Sequence, residues 1–384
     1  MLANASAIIE WLTSDECHGL DLAGLVAHLG RMLRAAGFSL ERLGLFLRTL
    51  HPETLGRAVL WSLDGPVEIH HRPHGFDLVD HSTRARMRQG EWITVRLDDP
   101  PFAAGPLHDL FSEPGLTELV LVPLLSGQEE IGGTAFATRC SEGFTTGEVA
   151  TLRRIVPALR TSCEVRALRR TEANLLDTYV GPVASRRILA GHIRRGDVET
   201  IYAALMLCDM RGFTALSDRL PETRVLEFLN LYFDQIVPPI VDAGGEILKF
   251  MGDAVLAFFR SESDPVANCS AAFDAAVKAL ARLDAIESPD AELRAGIALH
   301  HGTASYGNIG SAPRLDFTVI GRDVNLVSRI ESVCAATGQR LLMSARFAQL
   351  LARTDVQPIG PYALKGFDRP PELFAWTGGK ATFY

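Results

Sequence analysis

The 384-residue chain has no uninterrupted apolar run near the ~20 residues that span a bilayer, so no transmembrane segment is expected. It has no C-x-x-C pair. Its six cysteines, Cys17, Cys140, Cys163, Cys208, Cys269 and Cys334, are scattered, which argues against a disulfide framework or structural zinc and for a reducing cytoplasm. Neither G-x-x-x-x-G-K-[ST] nor G-x-G-x-x-G occurs, so P-loop and dinucleotide-fold chemistry is not indicated. Excess positive charge is also missing. A net charge of −8 argues against a general nucleic-acid or anionic-membrane binder. The N-terminal "MLANASAIIEWLTSDE" lacks the basic start and long apolar core of a signal peptide.

A 47% hydrophobic fraction is enough for packed cores, and the length predicts two or three domains. Helical apolar spacing marks "LDLAGLVAHLGRMLRAAGF". "RAVLWSLDGPVEIHHR" reads as a hairpin around Asp64-Gly65, and "LTELVLVPLLSGQEEIGGTAFATRC" as two strands joined at "SGQEE". A long helix follows from Thr146, taken as its N-cap. This order resembles a GAF-type sensor domain over residues 1–165, which implies an unnamed small ligand there. The arginine-rich stretch 166–199 reads as a helical linker able to transmit a signal. His70, His71, His74 and His81 cluster in "HHRPHGFDLVDH", without ligand-spaced partners. A solvated loop or hairpin accounts for them more simply than haem or metal.

From Ile201 the pattern changes. "YAALMLC" is a continuous apolar run, as in a strand buried on both faces, and it ends at Asp209. A helix is predicted from about Glu222 to Val237. "EILKFMGDAVLAFF" reads as a hairpin turning at Gly252-Asp253. "ELRAGIALHHGTASYGNIG" reads as a strand or hairpin pair, and "VNLVSRIESVCAATG" as a helix ending at Gly338. Mixed strands and helices predict an α+β, ferredoxin-like layer rather than a doubly wound sheet. Asp209 and Asp253 both end apolar strands. If those strands are neighbours, two hard oxygen ligands converge, as suits Mg²⁺ shared with a polyphosphate. Taken alone, Asp253 could be only a turn residue and Lys249 a solvated strand position.

"CDMRGFTALSD", "GGEILKFMGDAVLAFF", "AGIALHHGTASYGNIGS", "RLDFTVIGRDVNLVSRIE" and "LKGF" occur in the order of the class III adenylate and guanylate cyclases, and residues 200–377 resemble that family's catalytic domain. The resemblance implies a palm-type sandwich, ATP as substrate and two Mg²⁺ or Mn²⁺ ions held by Asp209 and Asp253. Met210, Arg211, Gly212, Phe213 and Thr214 match its phosphate-binding turn. Lys249 matches the lysine that selects adenine, since an ammonium donates to adenine N1 and cannot accept from guanine. Thr318 matches the second base-selecting position. Asp316 is the runner-up there, and reads more simply as a salt-bridged surface acid. Asn325 and Arg329, four apart on one helical face, match the transition-state pair, and Lys365 matches a triphosphate lysine. A homodimer with active sites shared between chains is implied, because only one copy of each motif is present. A guanylate cyclase and a catalytically silent ligand-sensing partner are the alternatives. The G-G-D/E-E-F signature of diguanylate cyclases is missing. Residues 378–384 read as a C-terminal tail.

Overall fold

The computed structural model describes residues 2–75, 77–97, 106–127, 129–260, 264–287 and 292–378. Beyond Gly378, the expected C-terminal tail lies outside the described residues, as does Gln128 of the expected "SGQEE" turn. The chain divides into two compact units, Met1–Thr178 and Tyr179–Tyr384.

The N-terminal unit is a six-stranded antiparallel sheet with helices on both faces. Its helices are α1 Leu2–Leu12, α2 Asp15–Gly19, α3 Leu22–Ala35, α4 His81–Arg88, α5 Pro106–Leu110 and α6 Thr146–Val180. Its strands are β1 Arg42–Arg48, β2 Thr54–Ser62, β3 Glu68–Pro73, β4 Ile93–Arg96, β5 Glu118–Ser126 and β6 Glu129–Thr138, ordered β3-β2-β1-β6-β5-β4. One face packs Leu43 and Leu45 against Ile8, Leu25, Leu29 and Leu159 from α1, α3 and α6. Helix α3 lies close on the sheet because Gly30 has no Cβ, which would otherwise overlap the Trp61 ring. The opposite face packs Phe46 and Leu121 against Leu107 of α5, Phe111 and Met87 of α4.

The expected hairpins are β2–β3 and β5–β6. The cap of α6 is Thr145 rather than Thr146. Thr145 Oγ1 accepts from Glu148 N at 3.2 Å, and Glu148 Oε2 accepts from Thr145 N at 2.8 Å, which is a reciprocal capping box. Helix α6 stops at Val180 before Gly181 (φ 83°) and Pro182. The stretch read as one helical linker, 166–199, therefore holds the end of α6 and a separate helix, α7 Pro182–Leu189, whose Ala184 is buried in the C-terminal unit.

That unit continues with β7 Val198–Met210, α8 Phe213–Arg219, α9 Glu222–Asp242, β8 Glu246–Met251, β9 Ala254–Arg260 and α10 Pro265–Asp284. Then come β10 Ala295–Ser311, β11 Arg314–Ile320, α11 Arg322–Thr337, β12 Leu341–Ser344, α12 Ala345–Leu351, β13 Val356–Pro361 and β14 Glu372–Trp376. The eight strands form one mixed sheet, β13-β14-β12-β10-β7-β9-β8, with β11 also paired to β10. Among the described residues, only the β10–β12 pairing is parallel. This is an α+β sandwich. Ala204, Met206 and Cys208 of β7 face the core under α9, α10 and α12, while Ala203, Leu205 and Leu207 face the core under α11.

One element differs from expectation. Helix α9 runs past Val237 through Pro238 and Pro239 to Asp242, because burial of Ile236, Pro239 and Ile240 outweighs the lost N–H donors. Of the two readings of "AGIALHHGTASYGNIGS", strand or hairpin pair, the structure shows one 17-residue strand. Its "HHG" does not turn, because His300 and His301 are buried opposite Leu205 and Ala204 of β7.

Candidate active site

The two aspartates meet because of strand register. Cys208 of β7 pairs with Val255 of β9. Asp209 is one residue beyond that pair, and Asp253 lies in the β8–β9 turn just before it. Both are half-buried. Burial, then the charge of Asp253, pushes Asp209 up to about 6, while Arg211 opposes the shift. Burial likewise raises Asp253. Two crowded, half-buried carboxylates fit a divalent cation, which would relieve their mutual repulsion. No group of three or more His, Cys, Asp or Glu is placed to hold a metal ion among the described residues, so other coordination positions would fall to water and phosphate oxygens.

The turn after β7 bends at Gly212 (φ 73°) into α8. Phe213 and Thr214 stand in its first turn, where N–H groups lack intrahelical acceptors. Met210 is buried. Arg211 is engaged within the chain: its N–H donates to Arg294 O at 2.9 Å, and its Nη1 stands 3.0 Å from Glu331 Oε1 of α11. The guanidinium passes over Gly296, where a Cβ would overlap it. Burial raises Glu331, and the charges of Asp209 and Asp253 add to the shift against Arg211. Arg211 thus sits among three carboxylates. Sequence reasoning missed Glu331. The available signal was a charge two residues beyond Arg329, on the apolar face of α11.

Lys249 is exposed on β8 and forms an ion pair with Asp316 of β11. Thr318 is half-buried one pleat along the same strand, opposite Gly307. Asn325 and Arg329 are both exposed on α11, and neither side chain makes a hydrogen bond or ion pair among the described residues. Glu331 lies two residues past Arg329, about 200° around the helix. The face of α11 that reaches Arg211 beside the acids therefore points away from the face carrying Asn325 and Arg329. Lys365 is exposed in the turn before β14, and the neighbouring Phe367 ring stacks under the Arg322 guanidinium of α11 at 5.1 Å.

The histidines have structural surroundings. His300 Nδ1 lies 2.7 Å from Ser344 Oγ, and its Nε2 lies 3.5 Å from Asp323 Oδ1. Asp323 also accepts from Thr303 N at 2.7 Å. Chiefly through the nearby His300 imidazole, its carboxyl is held down at about 2. This tethers the start of α11 to β10. In the N-terminal unit, His70 Nε2 lies 3.2 Å from Glu68 Oε2, and His74 Nε2 lies 2.8 Å from the His51 carbonyl.

Residues 199–381 match the model of the adenylate and guanylate cyclase catalytic domain. An adenylate cyclase of Anabaena cylindrica is 32% identical over 162 residues, covering 40% of this chain and 31% of that protein. Adenylate cyclase 1 of Rhizobium meliloti is 31% identical over 182 residues, covering 45% of this chain and 27% of that protein. The crystal structure of the adenylyl cyclase CyaB from P. aeruginosa is 28% identical, with a TM-score of 0.42, covering 49% of this chain and 99% of that one. The chain thus spans about a third or less of the length of these two curated relatives. No helix among the described residues is long and apolar enough to cross a membrane. The C-terminal unit, with its paired acids and motifs in family order, belongs to the adenylate and guanylate cyclase catalytic domains.

Proposed function

We propose that the chain is an adenylate cyclase, converting ATP to 3′,5′-cyclic AMP and pyrophosphate in a homodimer whose two sites each draw residues from both chains. The opposed faces of α11 carry this reading. Glu331 reaches toward one chain's acids, while Asn325 and Arg329 project from the other side of the helix, where a second copy can place them over its own acids. Twofold symmetry then gives two equivalent sites. Helix α6 leaves Leu168 (64%) and Leu175 (38%) exposed seven residues apart, a spacing that suits parallel pairing of the same helix.

Two Mg²⁺ or Mn²⁺ ions bound at Asp209 and Asp253 would neutralise the triphosphate and make the ribose 3′-hydroxyl a better nucleophile. The residues around them position the substrate. The turn 210–214 offers backbone N–H groups to phosphate oxygens. Lys249 donates to adenine N1, and Thr318 Oγ1 accepts from the exocyclic amine. Asn325 holds the ribose, and Arg329 spans the oxygens of the α-phosphate as the 3′-oxygen attacks and pyrophosphate leaves. Lys365 reaches the outer phosphates. The N-terminal unit, read as a GAF-like sensor, biases the arrangement of the catalytic pair through α6 and α7.

The test is product analysis of the purified 384-residue chain with Mn²⁺ and equal ATP and GTP. Cyclic AMP in excess supports the proposal. Cyclic GMP in excess favours the guanylate alternative, and no cyclic product favours the silent one.

A further inference from the structure

Helix α11 carries Asn325 and Arg329, and apolar packing holds its start less firmly than its middle. The N-cap is Gly321, which brings no side-chain cap. The first buried apolar residue of the helix is Val327, followed by Ile330, Val333 and Cys334. Val324 and Leu326 are only partly buried. Asn325 therefore stands ahead of the side chains that seat α11 in the core.

The first turn is seated by polar groups instead. Asp323 Oδ2 accepts from the Thr303 N–H of β10 at 2.7 Å and lies 3.4 Å from Thr303 Oγ1. Asp323 precedes Val327 by four residues, so it shares the sheet-facing side of the helix and lies about 200° around from Asn325. Behind the carboxylate stands His300, 5% exposed. Its Nε2 is 3.5 Å from Asp323 Oδ1 and has no hydrogen-bond partner among the described residues. Its Nδ1 is 2.7 Å from the buried Ser344 Oγ, which caps α12. The seat is close-fitting. A Cβ at Gly302 would stand 2.1 Å from Asp323 Oδ2, so glycine leaves the room the carboxylate fills.

We propose that Asp323 is a positioning residue for the reaction: by fixing the start of α11 on β10, with His300 behind it, it sets where Asn325 and Arg329 meet the nucleotide. It acts through the helix, since its contacts are on the side away from Asn325. The proposal rests on the roles given above to Asn325 and Arg329 in a shared site.

Steady-state kinetics with ATP and Mn²⁺ test it. Asp323→Ala should lower kcat at least about tenfold, because small displacements of a positioned group are costly in rate. The ATP KM and the Mn²⁺ requirement should change little, because Asp209, Asp253, Lys249 and Thr318 stand on other elements. Asp323→Asn keeps an oxygen that can accept from Thr303 N–H and should retain more of the rate than Asp323→Ala. Gly302→Ala leaves every side chain of the site in place but displaces the carboxylate. It should show the same fall in kcat, and it decides the matter if Asp323→Ala fails to fold. Mixed dimers add a readout that general damage to the fold would not give. Asp323→Ala chains paired with Asp209→Ala chains should exceed the rate of either homodimer, because one site then carries neither lesion. Paired with Asn325→Ala chains they should gain nothing. An unchanged kcat in Asp323→Ala or Gly302→Ala, or a loss confined to KM or to the metal requirement, would overturn the proposal. So would mixed dimers with Asp209→Ala that gain nothing while the Asp209→Ala and Asn325→Ala pair recovers. If that pair also fails, the shared-site reading falls, and the split between kcat and KM still decides the role of Asp323. A parent chain that makes no cyclic nucleotide removes both.

Discussion

Lys249 of β8 and Asp316 of β11 form an ion pair at the surface, with side chains 43% and 52% exposed. Exposed pairs of this kind are worth about 0–1 kcal/mol, so an adenine ring can draw the ammonium away at little cost. Asp316→Asn should therefore change the ATP KM by less than about fivefold, leave kcat unchanged and keep ATP preferred over GTP. Lys249→Glu with Thr318→Ala should erode that preference. Steady-state rates with both nucleotides check this. A hundredfold loss in Asp316→Asn would instead make Asp316 the base reader.

Asp209→Ala and Asp253→Ala should each abolish turnover while the circular dichroism spectrum stays that of the parent. Each substitution removes one of two hard ligands from a site that must offset polyphosphate charge. Appreciable Mg²⁺-dependent activity in either variant would remove the assignment of these acids.

Asp209 has a pH signature. Its folded-state pKa of about 6 lies above the roughly 3.9 of an unfolded aspartate, so the fold binds the proton more tightly than the unfolded chain does. The metal-free chain should lose stability from this group as pH rises from about 4 through 6, with the full loss above that. Asp209→Asn should thus melt higher than the parent at pH 7.5 in EDTA, and the difference should shrink toward pH 4. Mn²⁺ should raise the melting temperature of the parent at pH 7.5 and do so far less in Asp209→Asn. Equal melting of the two metal-free proteins at pH 7.5 contradicts the crowded-carboxylate picture.

Glu331 holds Arg211, whose charge already acts on Asp209. Glu331→Ala should release the guanidinium toward Asp209, where it competes with the divalent cation. The Mn²⁺ concentration for half-maximal rate should rise severalfold, with the ATP KM at saturating metal little changed. An unshifted metal requirement would reduce Glu331 to a packing residue.

Much of this was legible because the relevant signals are local. Gly252-Asp253 between apolar runs marks a hairpin, and the 325/329 spacing puts two polar side chains on one helical face. Other features depend on tertiary context. Helix α9 continues through Pro238-Pro239 because Ile236 and Ile240 are buried, which propensity does not record. The choice of Thr145 over Thr146 as cap turns on where the reciprocal bond with Glu148 closes. Arg211 sits in a motif, yet its side chain belongs to Glu331, 120 residues away. Gly296 shows its purpose only when that guanidinium is seen passing over it.

The shared site is tested most directly by complementation between Asp209→Ala and Asn325→Ala chains. Each variant homodimer carries two broken sites. In a mixed dimer one site carries both lesions and the other carries neither. Random pairing at equal amounts makes half the dimers mixed, each with one intact site, so cyclic AMP formation should recover to about a quarter of the wild-type rate. Separately tagged chains, purified together, establish that mixed dimers have formed. Recovery of activity in that fraction is the predicted result. Demonstrated heterodimers that make no cyclic AMP would contradict the account.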